Sequence, residues 1–283
     1  MSNTPGILYI VATPIGNLED ITIRAIETLR TVEVIACEDT RKSRVLLQRF
    51  QITTKLMSLH RFSESRKAHA ILERLSRGQN VALITDAGTP AISDPGHRLV
   101  RAAQDAGILV TPIPGPSSIT AALSVSGMDC SSFVYLGFAP RKDEQRRGFF
   151  AQIMAEERTC VFFETPHRVE ATLRAAEEII GPRRIALFRE LTKLHEEILF
   201  GTSAHVLAQL SSRESIKGEI IIAVEGASRA QQPMNVDEAV RTIMEEGFTG
   251  KRLASEAHER FGIKKSEAYD AFLRLKDQRL VHD

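Results

Sequence analysis

The stretch most able to do chemistry is Thr85 to Gly96, Thr-Asp-Ala-Gly-Thr-Pro-Ala-Ile-Ser-Asp-Pro-Gly. Gly88 and Gly96 permit close backbone approach or positive φ, Pro90 and Pro95 stiffen the path, and Thr85, Asp86, Thr89, Ser93 and Asp94 offer short polar groups. Such a set suits holding a small ligand by backbone and hydroxyl groups. Twelve residues is long for a turn that only caps a helix, so the ligand-binding reading leads over a capping one. Two other Gly/Pro/Ser loops, Pro14 to Asn17 and Pro114 to Ser118, share this texture. Polar clusters close further strands at Glu38 to Lys42, Glu164 to Arg168 and Arg189 to Lys193.

Several familiar sites are excluded. No Gly-x-Gly-x-x-Gly follows the first strand, and there is neither a phosphate-loop Gly-Lys-Ser/Thr nor a Gly-x-Ser-x-Gly. The eight histidines are scattered without metal spacing, and no metal site is expected. Cys37, Cys130 and Cys160 are odd in number and far apart, which argues against a disulfide framework and for a reducing compartment. No apolar stretch approaches the length of a membrane span, and the N-terminus lacks the pattern of a signal peptide, so a soluble cytoplasmic protein with no membrane partner is expected.

The elements that must position these groups follow from periodicity. Apolar runs at Ile7–Thr13, Val34–Cys37, Leu56–His60, Val81–Ile84 and Leu109–Ile113 alternate with helical patterns, including one opened by Thr22, one over Ser43–Phe50, one over Arg66–Arg77 and one from Pro95. Alternation of this kind implies crossover connections and a mainly parallel sheet over residues 1–114. The proline-dense Pro112 to Ser118 reads as a hinge, with Ser117 or Ser118 able to cap a helix through Ser126. A second α/β lobe over 115–227 follows. Its strands Arg184–Leu191 and Glu196–Phe200 are so close in sequence that antiparallel pairing, and hence a mixed sheet, is expected. Gly226 to Asn235 reads as a linker, and 236–283 as a helical appendage of three short helices, the last two with helix-turn-helix proportions.

At 283 residues and 43% apolar content there is ample core for two lobes and an appendage. Aromatics make up only 6% and Trp is absent, so nucleic-acid binding would rest mainly on charge and shape rather than stacking. Net charge is only +1, but Glu38 to Arg77 holds ten Lys/Arg against four acids. That excess fits either solvated helix faces or contact with a polyanion. The terminal helices balance ten basic against ten acidic residues from Arg229 onward, which leaves a packing bundle and a nucleic-acid-contacting unit equally open. From patterns alone the chain is a small-ligand enzyme with a cleft between two α/β lobes.

A resemblance adds to this. Leu8 to Thr22, Ala36 to Arg41, Thr85 to Gly96, Pro114 to Ser117, Glu164 to Arg168, Arg189 to Lys193 and Lys217 to Glu219 together resemble the tetrapyrrole methylase superfamily, and within it the branch that methylates ribosomal RNA. The resemblance implies a two-lobed class III S-adenosylmethionine methyltransferase fold with a small C-terminal helical domain, usually a homodimer. It implies S-adenosyl-L-methionine as cofactor, and Ile15, Ala87, Gly88, Thr89, Ile92, Ser117, Ser118, Glu164, Leu191 and Gly218 fall where relatives line its pocket. The implied reaction is 2'-O-methylation of a cytidine in the decoding region of 16S rRNA, with the small ribosomal subunit as partner. Glu38, Asp39, Glu190 and Lys193 are candidates for orienting or deprotonating the ribose hydroxyl, and Lys193 would need a depressed pKa to do so. Arg41, Lys42, Arg44, His167 and Arg168 are the expected RNA contacts. Pro14-Ile15-Gly16-Asn17 and Gly88-Thr89-Pro90 depart from the corrin and sirohaem branches and favour RNA over a macrocycle. A tetrapyrrole C-methyltransferase and a non-catalytic RNA-binding module are the alternatives.

Overall fold

The computed structural model describes residues 4–59, 64–213, 215–227, 235–261 and 263–280. Its first sheet contains β1 (Leu8–Val11), β2 (Val34–Cys37), β3 (Lys55–Ser58), β4 (Val81–Leu83) and β5 (Val110–Ile113), in the order β3-β2-β4-β1-β5. Every pairing in it is parallel. The interior strands β2 and β4 are buried throughout, because helices cover both faces, and this explains their unbroken apolar runs. On one face α1 (Ile23–Thr31) and α2 (Thr40–Arg49) bury Ala25, Leu29, Leu46 and Leu47. On the other α3 (Glu64–Ser76) and α4 (His97–Asp105) bury Ile71, Leu75, Leu99 and Ala103.

That arrangement fixes where a ligand can sit. Right-handed crossovers send α1 and α4 to opposite faces, so the chain leaving β1 and the chain leaving its neighbour β4 diverge. The gap opens at the carboxyl ends of these two strands, the topological switch point of the sheet.

The second sheet runs β6-β7-β10-β8-β9, from β6 (Phe133–Phe138), β7 (Thr159–Glu164), β8 (Arg184–Arg189), β9 (Glu197–Thr202) and β10 (Ile220–Val224). Only β6 and β7 pair in parallel. The other three pairings are antiparallel, giving the expected mixed sheet. One face packs against α6 (Asp143–Met154), α7 (Val169–Ile180) and α8 (Ser203–Ser211), and the other against the short α5 (Ser118–Ser124). Beyond these lie α9 (Val236–Glu245), α10 (Gly250–Phe261) and α11 (Lys265–Leu280), which share a separate apolar cluster of Val240, Ile243, Leu253, Ala257, Phe272 and Leu275. Most of the expected linker, 228–234, lies outside the described residues.

Several boundaries differ from the sequence reading for identifiable reasons. The helix expected from Ser43 starts at Thr40, because the Asp39 carboxylate accepts from the Arg41 amide at 2.8 Å and caps it. Ser117 stands at the N-cap of α5, but its side chain makes no capping bond, and the helix ends at Ser124 rather than Ser126. The strand expected to reach Leu191 stops at Arg189, where Glu190 turns the chain with φ of 53°.

Candidate active site

The two lobes close on a cavity of about 690 Å³ at the switch point. The first lobe lines it with Glu38, at the end of β2, and with the loop after β4. Thr13 and Gly88 tie that loop to the chain leaving β1 through reciprocal backbone hydrogen bonds of 2.9 and 3.0 Å, and the Thr13 hydroxyl donates to the Thr85 carbonyl at 3.0 Å. Thr85 Oγ1 donates to Asp94 Oδ2 at 2.6 Å, drawing the two ends of the loop together. Gly88 has φ of 82°, which glycine adopts without strain, and a Cβ there would meet only Ile15 Cγ2 at 3.5 Å.

Opposite it, the turn from Glu190 to Lys193 meets the first lobe. A Cβ on Gly16 would stand 2.6 Å from both Lys193 Cγ and Thr192 Oγ1, so only glycine allows the approach. The Asn17 amide donates to Thr192 Oγ1 at 3.0 Å across this contact. Four of the five non-glycine residues with positive φ among the described residues, Ala91, Ser93, Glu190 and Thr192, lie on these two loops. Strained backbone concentrated on facing loops marks a built site rather than a slack surface turn.

Eight of the ten residues expected around a cofactor line the cavity: Ala87, Gly88, Thr89 and Ile92 from one lobe, Ser117, Ser118, Glu164 and Gly218 from the hinge and the other. Ile15 and Leu191 stand outside its lining, Ile15 buried beneath Gly88 and Leu191 against the cluster that holds Phe188. The Glu164 carboxylate is fully buried and saturated. It accepts from Thr172 Oγ1 at 2.5 Å and the Thr165 amide at 2.6 Å, and pairs with Arg168 Nη2 at 2.6 Å.

The four carboxylate and amine candidates occupy different surroundings. Only Glu38 reaches the cavity lining. Asp39 is held far below the ordinary carboxylate range by hydrogen bonds from the Arg41 side chain and amide, and serves as the cap of α2. Lys193 Nζ lies 2.7 Å from Glu190 Oε1 and 3.2 Å from Glu219 Oε2. Burial pulls its pKa down, but the bonds to Glu190 and Glu219 outweigh this and leave it raised, so the depressed value required of a basic lysine is not found. Glu190 shows the reverse: burial pushes its pKa up, and Lys193 and the Glu219 amide bring it net down. The pair is an ammonium and a carboxylate lying over Gly218, where a Cβ would collide with the Glu190 side chain.

Of the expected RNA contacts, Arg41, Lys42 and Arg44 are exposed on the first turns of α2. Lys42 Nζ is 2.9 Å from Asp86 Oδ2, a residue of the cavity wall, which places the basic segment at the cleft mouth. Arg41 forms a two-point bond with Asp39, Nε to Oδ1 at 3.1 Å and Nη2 to Oδ2 at 2.7 Å. His167 is exposed. Arg168 is largely enclosed, bound to Glu164 and to the Ala139 carbonyl at 3.1 Å. What the sequence reading passed over is aromatic: Phe133, Tyr135, Phe138 and Phe163 all line the cavity, and Tyr135 shares a short hydrogen bond with Ser93 across the cleft.

This donor set fits S-adenosylmethionine. The volume lies within the roughly 300–1,000 Å³ of small-molecule pockets. Ile92, Ile220 and Ile221 offer apolar contact for a flat base, Thr89, Ser117 and Ser118 offer hydroxyls for a ribose, and Gly88 and Gly218 leave backbone bare where a side chain would intrude.

A parallel lobe and a mixed lobe, closed on such a cleft, define a two-lobed α/β methyltransferase fold. Residues 7–207 match the Tetrapyrrole (Corrin/Porphyrin) Methylases, and the chain belongs to that family. It is similar to the ribosomal RNA small subunit methyltransferase I of Mesorhizobium japonicum, 43% identical over 272 residues that cover 95% of this chain and 92% of the relative. The proteins of the same name from Escherichia coli O157:H7 and Bacillus subtilis are 43% and 38% identical, with 94% of each chain covered in both cases. Among solved structures, a cobalt precorrin-4 methyltransferase of cobalamin biosynthesis shares the fold with a TM-score of 0.58 and 15% identity, covering 77% of this chain and 94% of that one. The uroporphyrin-III C-methyltransferase of Thermus thermophilus does so with 0.53 and 19%, covering 78% and 92%.

Proposed function

We propose that this chain is an S-adenosylmethionine-dependent methyltransferase of 16S ribosomal RNA, acting on the ribose 2'-hydroxyl of a cytidine in the decoding region. The observation that carries the reading is the likeness to ribosomal RNA small subunit methyltransferase I over 94–95% of this chain, a stretch too long to reflect a shared cofactor lobe alone. The corrin and uroporphyrin enzymes are similar at 15% and 19% identity, which speaks for fold and not for substrate.

In this reading Gly88, Thr89, Ser117 and Ser118 hold the cofactor along the cleft floor. When bound, it supplies an electrophilic methyl group on a positively charged sulfur. The chain's own task is to hold the ribose oxygen in line, keep water out and accept a proton, since placement and proton removal supply most of the rate for so weak a nucleophile. Glu38 is the candidate for orienting or deprotonating the hydroxyl, being the member of the set that lines the cavity. Glu190 and Lys193 act one step back, fixing the turn over Gly218. Arg41, Lys42 and Arg44 meet RNA phosphates at the mouth, and His167, exposed on the loop after β7, is the candidate contact from the second lobe. The protein works in the cytoplasm as a homodimer. Leu194, 92% exposed, and Phe200 on the edge strand β9 are apolar surface that a second copy would cover.

The test is transfer of radiolabelled methyl from S-adenosylmethionine to small ribosomal subunits, with the product nucleoside identified by mass. A 2'-O-methylcytidine is expected. Label on a precorrin, or on a nucleobase, would overturn the reading, and light scattering checks the dimer.

A further inference from the structure

The aromatic content of this chain is low, 13 Phe and 3 Tyr with no Trp, yet four of these sixteen rings line one cavity. Three come from a single strand. Side chains alternate along a strand, so Phe133 and Tyr135 share a face and residue 137 would be next on it. That position is Gly137, with φ of 69°, and the β6–β7 register shifts between Tyr135 and Phe138. The irregularity re-aims Phe138 toward the same cavity, which is what a bulge beside a functional site does. Phe163 of β7 supports the group. Its ring centroid is 5.4 Å from Tyr135, edge-on at 70°, and 5.2 Å from Phe138 at 54°.

The rings are not buried like a core. The cavity floor is enclosed, with Gly88, Glu164, Ile220 and Ile221 buried, whereas Phe133 and Phe138 are 41% and 54% exposed. Tyr135 is spoken for by Ser93. The outermost rings are therefore free apolar faces at the rim of a cleft whose floor has the hydroxyls and bare backbone suited to the cofactor. A second, flat and polar-edged substrate part is what such a rim can take, and on an RNA the group of that shape is a nucleobase.

We propose that Phe133 and Phe138, backed by Phe163, form a stacking subsite for an unstacked pyrimidine base of the substrate RNA, holding the target nucleotide out of its strand. Rotating the base onto the rim places its ribose between the rim and the cleft floor. This rests on the RNA-methylating reading above and deepens it.

The decisive variants are the Phe133→Leu/Phe138→Leu double substitution, which keeps apolar bulk and removes the π faces, and Phe138→Tyr, which keeps them. Methyl transfer is followed over a range of small-subunit concentrations, and S-adenosylmethionine affinity by calorimetry. The double variant is expected to lose about 5- to 100-fold in kcat/KM for subunits, the range that loss of base–aromatic stacking gives. Its cofactor affinity should stay within about twofold of wild type, and Phe138→Tyr should retain transfer. Should the double variant not fold, Phe138→Leu alone, at an exposed position, carries the same comparison. Cofactor affinity falling in step with transfer would assign the rings to the cofactor and overturn the proposal, as would undiminished transfer. If the wild type itself methylates no subunit, the functional reading fails and the base subsite with it.

Discussion

The first lobe meets the cleft with loops, the second largely with the face of a sheet. From β4 the chain gives glycine, proline and short polar side chains, held by the Thr13–Gly88 bridge and the Thr85–Asp94 bond. From β6, β7 and β10 come Phe133, Tyr135, Phe138, Phe163 and Ile221, side chains on strands, with Phe138 turned in by the irregularity at Gly137. The difference is one of mechanism. Where a wall is made of backbone, a substitution acts through φ and ψ; where it is made of side chains, it acts through lost contact area. A cleft built half each way can fix one ligand by shape and hydrogen bonds and another by stacking.

The strongest way to break this division is to move RNA recognition off the first lobe. Changing Arg41, Lys42 and Arg44 together to Glu is expected to lower transfer to small subunits by at least about 100-fold at moderate salt, with each lost phosphate contact flattening the salt slope by roughly 0.7 to 0.9. Cofactor affinity should hold. Parallel salt curves for variant and wild type would leave RNA binding to the second lobe and tail. Next comes the backbone wall itself. Gly88→Val forces a branched residue into φ of 82° and should weaken S-adenosylmethionine binding by about 10- to 100-fold, the equivalent of roughly 1–3 kcal/mol of strain. Gly88→Asn, which tolerates the left-handed region, should lose much less. Equal losses in calorimetry would point to the added side chain rather than the conformation.

In the second lobe the expected effects are smaller and electrostatic. Glu197 accepts hydrogen bonds from Arg213 and Arg189, and these outweigh burial, which pushes the carboxyl up, and bring its pKa down to about 2. A carboxylate depressed in the folded state stabilises it above the unfolded value near 4.5 and loses that contribution as pH falls toward 2. Glu197→Gln should therefore cost about 1–3 kcal/mol in denaturant unfolding at pH 7 and almost nothing near pH 2. The smallest effect concerns Lys193. Its raised pKa keeps the ammonium through neutral pH, so the pair with Glu190 is complete below about 10.5 and weakens only above it, while the Glu190 side weakens only below 4.5. Lys193→Gln should leave every inflection of the pH–rate profile between pH 6 and 9 where it was. Disappearance of a wild-type inflection would make Lys193 the base after all.

Legibility in the sequence follows the same division. The loop after β4 stands out because glycine, proline and threonine packed into twelve residues have few other uses, and Val34–Cys37 reads directly as a strand because helices cover both its faces. The rim aromatics do not stand out. Phe133 and Tyr135 alternate as any strand does, and a lone Gly137 does not say that the strand bulges there and turns Phe138 toward the cavity until β6 is paired with β7. Asp39 reads equally well as an acid for chemistry or as a helix cap, and three-dimensional geometry is what separates the two. The approach of Gly16 to Thr192 is tied by the Asn17 amide, 175 positions from Thr192, beyond the reach of any pattern.

The reciprocal bonds between Thr13 and Gly88 have a consequence for exchange kinetics. Each amide is protected by the other residue's carbonyl, so neither proton can reach solvent unless the two loops part. In hydrogen–deuterium exchange the two amides should thus report one opening event with one free energy. Anything that loads the loop after β4 will then slow exchange at Thr13, on the chain leaving β1, by the same factor.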